Sequence, residues 1–196
     1  MVPIKAWTAG LLVSLCGCAS LPHTAPFEDQ TIGQGAIQGF RFSGRLAVHQ
    51  PSGTETGKID WASRGAKQHV ELSTPLGSTV AQLDQTPQSV HMTLSDHSEY
   101  WATDTAQLTQ SVLGYALPLE GLPWWVLGRA DPAGPAVFTH DLQGNPESLA
   151  QAGWLLQYGD WRQVDDQWLP GTIVLHHDEM TIRLKVDQWV IERDRK

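Results

Sequence analysis

The sequence predicts a mainly-β protein: one antiparallel sheet of about ten strands that curls into a barrel-like shape, its open side plugged by two or three short helices. Three observations carry this expectation. Apolar and polar residues alternate over most of the chain from residue 40 onward. Short turns separate the alternating stretches, as in a meander. The one central stretch without alternation carries helix caps and a continuous apolar run. A sheet of that size curls rather than staying flat. At 41% hydrophobic and 17% charged, the 196-residue chain is too apolar for disorder and too poor in charge for a coiled coil. Its net charge of −8 also speaks against nucleic-acid binding, which needs clustered Lys and Arg.

At the N-terminus, Lys5 is the only charge before an uncharged stretch, Ala6 to Cys18, that is too short to span a bilayer. It reads as a signal peptide over residues 1–17. Both cysteines of the chain, Cys16 and Cys18, stand at its end, so a disulfide scaffold or a cysteine zinc site is not expected. Leu15-Cys16-Gly17-Cys18 resembles the lipobox of bacterial lipoproteins, with Cys18 as the acylated residue. Gly17 then takes the small position and Leu15 the aliphatic one, whereas acylation of Cys16 would put Leu15 in the small position. A plain secretory signal cleaved near Ala19 and a redox Cys-x-Cys pair are the alternatives. Ala19 in place of Asp implies the outer membrane by the enterobacterial pattern. Two or more acyl chains give stable anchoring, at about 0.8 kcal/mol per buried methylene. Residues 18–38 then form the acylated cysteine and a flexible tether reaching about 25 Å, and residues 39–196 the folded domain.

Phe40, Phe42, Gly44, Leu46 and Val48 alternate with Arg41, Ser43, Arg45, Ala47 and His49, which is a strand with one apolar face. Ile59 with Trp61, Val70 with Leu72, Val80 with Gln82, and Val90 with Met92 and Leu94 continue the pattern. After the middle, Trp154 to Tyr158, Ile173 to His177, and Met180 to Val186 resume it. In the middle, Asp104 is a good N-cap for a helix over Thr105 to Leu113, stopped by Gly114. Leu117 to Gly128 reads as a second short helix, apolar almost all round and therefore buried against something.

No catalytic set emerges, and no enzyme activity, cofactor or metal is expected. Ser95-Asp96-His97 has triad residue types, but sequence neighbours cannot adopt triad geometry. His176 and His177 on a strand face opposite ways and cannot share a metal. Asp165-Asp166 reads as a turn. There is no glycine-rich phosphate loop. Nine tryptophans, eight of them outside the signal peptide, are the unusual feature. Thr74-Pro75-Leu76-Gly77-Ser78 is another: it places a bare Leu at the tip of a turn that should be polar, where a membrane-tethered protein can dip it into lipid.

These residues resemble the LolB family, outer-membrane receptors of the lipoprotein localisation pathway, over about residues 39–191. The resemblance rests on Gly44-Arg45-Leu46-Ala47-Val48, Trp61, Pro75-Leu76-Gly77-Ser78 and Tyr100-Trp101-Ala102-Thr103-Asp104. It continues in Leu117-Pro118-Leu119, Trp125-Val126-Leu127-Gly128, Gly153-Trp154 and Asp187-Gln188-Trp189. Trp124-Trp125 and Cys16 depart from the family pattern. The resemblance implies an open half-barrel of about 10–11 strands with short helices covering a hydrophobic cavity. It also implies a monomeric receptor that accepts acylated lipoproteins from a soluble, LolA-like periplasmic carrier and inserts them into the outer-membrane lipid without nucleotide hydrolysis. Leu76 matches the family's membrane-insertion residue. An acyl-chain cavity is expected with Leu46, Val48, Trp61, Leu72, Val80, Val90, Met92 and Leu94 on the sheet wall, and Leu113, Leu119, Leu122, Trp125 and Leu127 on a movable helical cover. A membrane-anchored binder of another lipid or glycolipid, and a structural envelope lipoprotein, remain as alternatives.

Overall fold

The computed structural model describes residues 37–117, 119 and 121–193. The expected signal peptide, Cys18 and all but the end of the tether lie outside the described residues. The alternating stretches become strands β1 (Gly39–Gln50), β2 (Gly53–Arg64), β3 (Lys67–Ser73), β4 (Thr79–Gln85), β5 (Val90–Leu94) and β6 (Glu99–Ala102). Helices α1 (Thr105–Leu113) and α2 (Leu122–Trp125) follow. The second half supplies β7 (Ala136–His140), β8 (Pro146–Gln151), β9 (Trp154–Gly159), β10 (Arg162–Val164), β11 (Gln167–Leu169), β12 (Thr172–His177) and β13 (Met180–Glu192).

Eleven strands form one antiparallel sheet in the order β6-β5-β4-β3-β2-β1-β13-β12-β9-β8-β7, and β10 with β11 make a separate hairpin turning at Asp165. Strands β6 and β7 are consecutive in the chain yet stand at opposite edges of the sheet. The chain between them, which holds both helices, therefore has to cross from one edge to the other, and it does so over the apolar face. Topology demands the crossing, and the burial of its residues among those of the sheet shows which face it covers.

The central pair β1 and β13 is irregular at Ser43/Gly44, where the register shifts by a residue. Gly44 is required there: a Cβ would stand 2.4 Å from the Lys185 carbonyl oxygen. Helix α1 has the expected ends. The Asp104 side chain accepts from the Gln107 N–H, and Gly114 closes the helix in the left-handed conformation. The second helix is shorter than the Leu117–Gly128 segment its apolar run suggests. Pro123 has no N–H with which to continue a helix backward to Leu119, and the Leu119 carbonyl accepts from the Gln68 side chain instead. Helix-type bonds run from Gly121 to a left-handed stop at Gly128, where Arg129 N–H reaches the Trp124 carbonyl.

The core lies between the sheet and this cover. Phe40, Phe42, Trp61 and Trp189 pack ring against ring with centroids 4.9–6.1 Å apart, an arrangement favoured by ring quadrupoles. Four of the eight tryptophans outside the signal peptide (Trp61, Trp125, Trp154 and Trp189) are buried, whereas Trp101, Trp124 and Trp168 are exposed. Core filling thus accounts for half of them.

A covered apolar cavity as the candidate functional site

Inward-facing residues of the sheet and the underside of the cover enclose an apolar cavity of about 80 Å³. Of the expected wall, Leu46, Val48, Trp61, Leu72 and Met92 line it, and Leu113, Leu119 and Leu122 line it from the cover. Val90 is buried and Leu94 half-buried in the same core, beside the cavity rather than on its wall. Trp125 and Leu127 are buried in the cover without facing the cavity.

Val80 does not belong there. It is 43% exposed on the other face of β4, and Ala81 and Leu83 line the cavity in its place. The pairings Leu72↔Ala81 and Val70↔Leu83 put Ala81 and Leu83 inward, and strand alternation then turns Val80 outward on the same face as Gln82. The far wall comes from Leu175, Ile182 and Leu184, and the cover adds Thr109, Tyr115 and Val126. The alternation of β12 and β13 held the signal for the first three; Tyr115, just past the end of α1, had none.

Thr109 carries a polar group into this lining and satisfies it locally: its hydroxyl donates to the Thr105 carbonyl at 3.0 Å and accepts the Leu117 N–H at 2.9 Å. Burial, and behind it the Glu55 charge, pushes the Tyr115 hydroxyl up from its ordinary pKa, so it stays neutral.

The cover is tied to the sheet unevenly. Gln151, buried on β8, accepts from Trp125 Nε1 at 2.7 Å and Asp131 N–H at 2.9 Å, and donates to the carbonyls of Asp131 at 2.8 Å and Gly134 at 2.9 Å. The Tyr158 hydroxyl, its pKa raised by burial, donates to the Trp125 carbonyl. Trp161 packs so close under Gly128 that a Cβ there would meet its ring at 2.5 Å. The α2 end is thus pinned, while Gln68 holds the other end through the Leu119 carbonyl at 3.0 Å.

Leu76 stands at the tip of the β3–β4 hairpin and is 97% exposed. Its turn is stiff. Thr74 N–H bonds the Ser78 carbonyl, the Thr74 hydroxyl accepts Ser78 N–H, and Gly77 takes the left-handed conformation. A large apolar side chain is therefore held in water by an ordered turn.

The other sequence candidates scatter. Ser95, Asp96 and His97 form the β5–β6 turn, in which Asp96 accepts the Ser98 N–H. His176 bonds Thr181, while His177 bonds the Gly153 carbonyl and stacks on Trp154. No described helix is long and apolar enough to cross a membrane.

An open antiparallel sheet, curled under a helical cover around an apolar cavity, defines a half-barrel built to enclose apolar matter. Two solved structures share this fold. A DUF1329 family protein from Desulfovibrio piger aligns at TM-score 0.58 and 7% identity, covering 82% of this chain and 88% of that one. A LolA superfamily protein from Nitrosomonas europaea aligns at TM-score 0.51 and 10% identity, with 82% and 89% covered. Sequence gives the family. The family model for outer membrane lipoprotein LolB matches residues 38–189. The outer-membrane lipoprotein LolB of Chromohalobacter salexigens is 30% identical over 97% of this chain and 92% of its own length. That of Thiobacillus denitrificans is 33% identical over 92% of this chain and 94% of its own. The chain belongs to the LolB family.

Proposed function

We propose that the protein, anchored through Cys18 on the periplasmic face of the outer membrane, accepts acylated lipoproteins from a soluble LolA-like carrier and inserts them into that membrane. The observation that carries this reading is the pairing of a covered apolar cavity with an ordered hairpin that exposes Leu76. A chain of about 16 carbons exposes on the order of 10 kcal/mol of apolar surface in water. A transfer protein must cover that surface and then give it up. Ligand pockets commonly measure about 300–1,000 Å³, so 80 Å³ describes a closed form whose cover lifts as chains enter. The pinned α2 end makes α1 and the segment after it the part that moves. The cavity covers the acyl chains, and Leu76 delivers them to lipid. The handover runs down an affinity gradient, from carrier to cavity to bilayer, without ATP. Mixing the protein with a carrier-bound lipoprotein in the absence of nucleotide tests this: the lipoprotein should change hands in a pull-down. Failure of the folded protein to take it up overturns the reading.

A further inference from the structure

Among the described residues, four buried side-chain nitrogen or oxygen atoms lack a hydrogen-bond partner: Trp61 Nε1, Gln68 Oε1, and the Nε atoms of Arg162 and Arg193. The two arginines are satisfied through their other nitrogens. Trp61 and Gln68 are not so easily explained. They lie on adjacent strands, with Trp61 opposite Val70 and Ser63 opposite Gln68, both on the inward face. That spacing is the diagonal of a sheet, about 7–8 Å. Trp61 is 3% and Gln68 6% exposed. The Gln68 amide orientation is fixed by its bonds: Nε2 donates to the Leu119 carbonyl at 3.0 Å and to Gln85 Oε1 at 3.1 Å, so the idle atom is the carbonyl oxygen. Around Trp61 the faces of Phe40 and Phe42, with centroids 5.7 Å away, are weak substitutes for an oxygen acceptor. A lone donor and a lone acceptor held this deeply cost stability that apolar residues of the same shape would not.

The two residues line two different spaces. Trp61 lines the apolar cavity beneath the cover. Gln68 lines a separate open cleft of about 570 Å³, walled by apolar Phe40 and Trp124 and by polar Ser63, Thr86 and Ser89. The cleft is polar enough for a lipid head, and one strand diagonal separates Gln68 on its wall from Trp61 on the wall of the space suited to chains. Building on the acyl-cavity reading above, we propose that the cleft is the head-group subsite for the cargo's N-acylated diacylglyceryl cysteine. Trp61 donates to an acyl carbonyl, and Gln68 Oε1 accepts from the N-acyl amide N–H. Ester carbonyls only accept, and among the linkages that join the chains to that head only the amide offers an N–H as well. The lone donor and lone acceptor therefore match an N-acyl amino acid better than a plain ester. The subsite lies at the Lys67 end of β3 and the Leu76 hairpin at its Ser73 end, so head and insertion hairpin occupy opposite ends of one strand.

The test uses the full chain with Cys18→Ala, and a fluorescent fatty acid displaced by three competitors. N-palmitoylglycine methyl ester offers both carbonyl and amide N–H, methyl palmitate offers a carbonyl alone, and hexadecane neither. Trp61→Phe, which keeps an aromatic ring and removes the N–H, should weaken both carbonyl competitors about fivefold to tenfold more than it changes hexadecane. Gln68→Met, made separately, should abolish the preference for the amide competitor over methyl palmitate, whatever it does to the cover. Equal weakening of all three competitors by Trp61→Phe, or of none, overturns the subsite and leaves the acyl cavity standing. If the unsubstituted cavity binds neither the fluorescent fatty acid nor hexadecane, the acyl-cavity reading falls and takes the subsite with it.

Discussion

Replacing Leu76 tests the proposed division between covering and delivery. The side chain is 97% exposed and packs against nothing, so nearly all of its apolar surface is available to lipid. Trimming it to Ala removes about three methylene equivalents at about 0.8 kcal/mol each, about 2.4 kcal/mol of transfer free energy. If membrane entry of the hairpin precedes release, Leu76→Ala should slow insertion by about fiftyfold. Leu76→Glu should slow it further, because a carboxylate must be neutralised or left behind at the interface. Neither change touches the cavity or the bonds that shape the turn, so stability should move by less than about 0.5 kcal/mol. The assay follows one lipoprotein through two steps: uptake from the carrier by pull-down, then appearance in vesicles by flotation. Uptake at the unsubstituted rate with slow flotation is the expected result. Equal slowing of both steps, or fast insertion by Leu76→Glu, refutes the division of labour.

Four further outcomes are expected. Gln151→Leu strands the Trp125 and Asp131 N–H groups and should destabilise the protein by about 2–5 kcal/mol in chemical denaturation, with loss of lipoprotein uptake. Val80→Glu lies on the outer face of β4 and should leave fatty-acid-probe affinity unchanged; Leu83→Glu, on the wall, should abolish it. Gly44→Ala forces a Cβ against the Lys185 carbonyl and should cost about 1–3 kcal/mol in thermal melts. The Arg45 guanidinium holds the Asp187 carboxyl below its ordinary pKa, so that pair contributes stability above the usual carboxylate range and loses it as the pH falls through the lowered value. Arg45→Gln should therefore lower stability slightly at neutral pH and not at all once Asp187 is protonated, measured by urea unfolding across pH.

The central strands were legible because one face of each is buried, which writes a clean period of two. The edge strand β7 and its neighbour β8 were not: polar and apolar residues mix on both faces, and Pro146 opens β8. Val80 shows how short strands mislead: period two was kept, but the inward face was marked by Ala81 and Leu83, and the larger Val80 stands on the face of Gln82. The second helix was overextended because an apolar run says that a segment is buried, not that it is helical; Pro123 held the missing information. Leu76 was readable for the opposite reason, as a residue in conflict with its turn. Such conflict is also the signal that would have found Gln68 and Gln151. Each stands in the apolar phase of its strand, Gln68 before Val70 and Leu72, and Gln151 after Leu149, where a polar residue has to find partners indoors.

Gln68 bears on how a receptor can bind apolar chains and still release them. An open, permanently formed cavity would either hold water against apolar walls or collapse, and a cavity complementary to its cargo would retain it. Here the closed form already satisfies the part of the cover that moves: Gln68 donates to Leu119, and apolar cover residues face apolar sheet. Lifting the cover costs those contacts, and that cost is subtracted from the gain of burying acyl chains. Net affinity is therefore lower than the apolar area suggests. A bilayer buries the same chains without any such penalty. In the proposed handover, the gradient from cavity to membrane is thus written into the closed state.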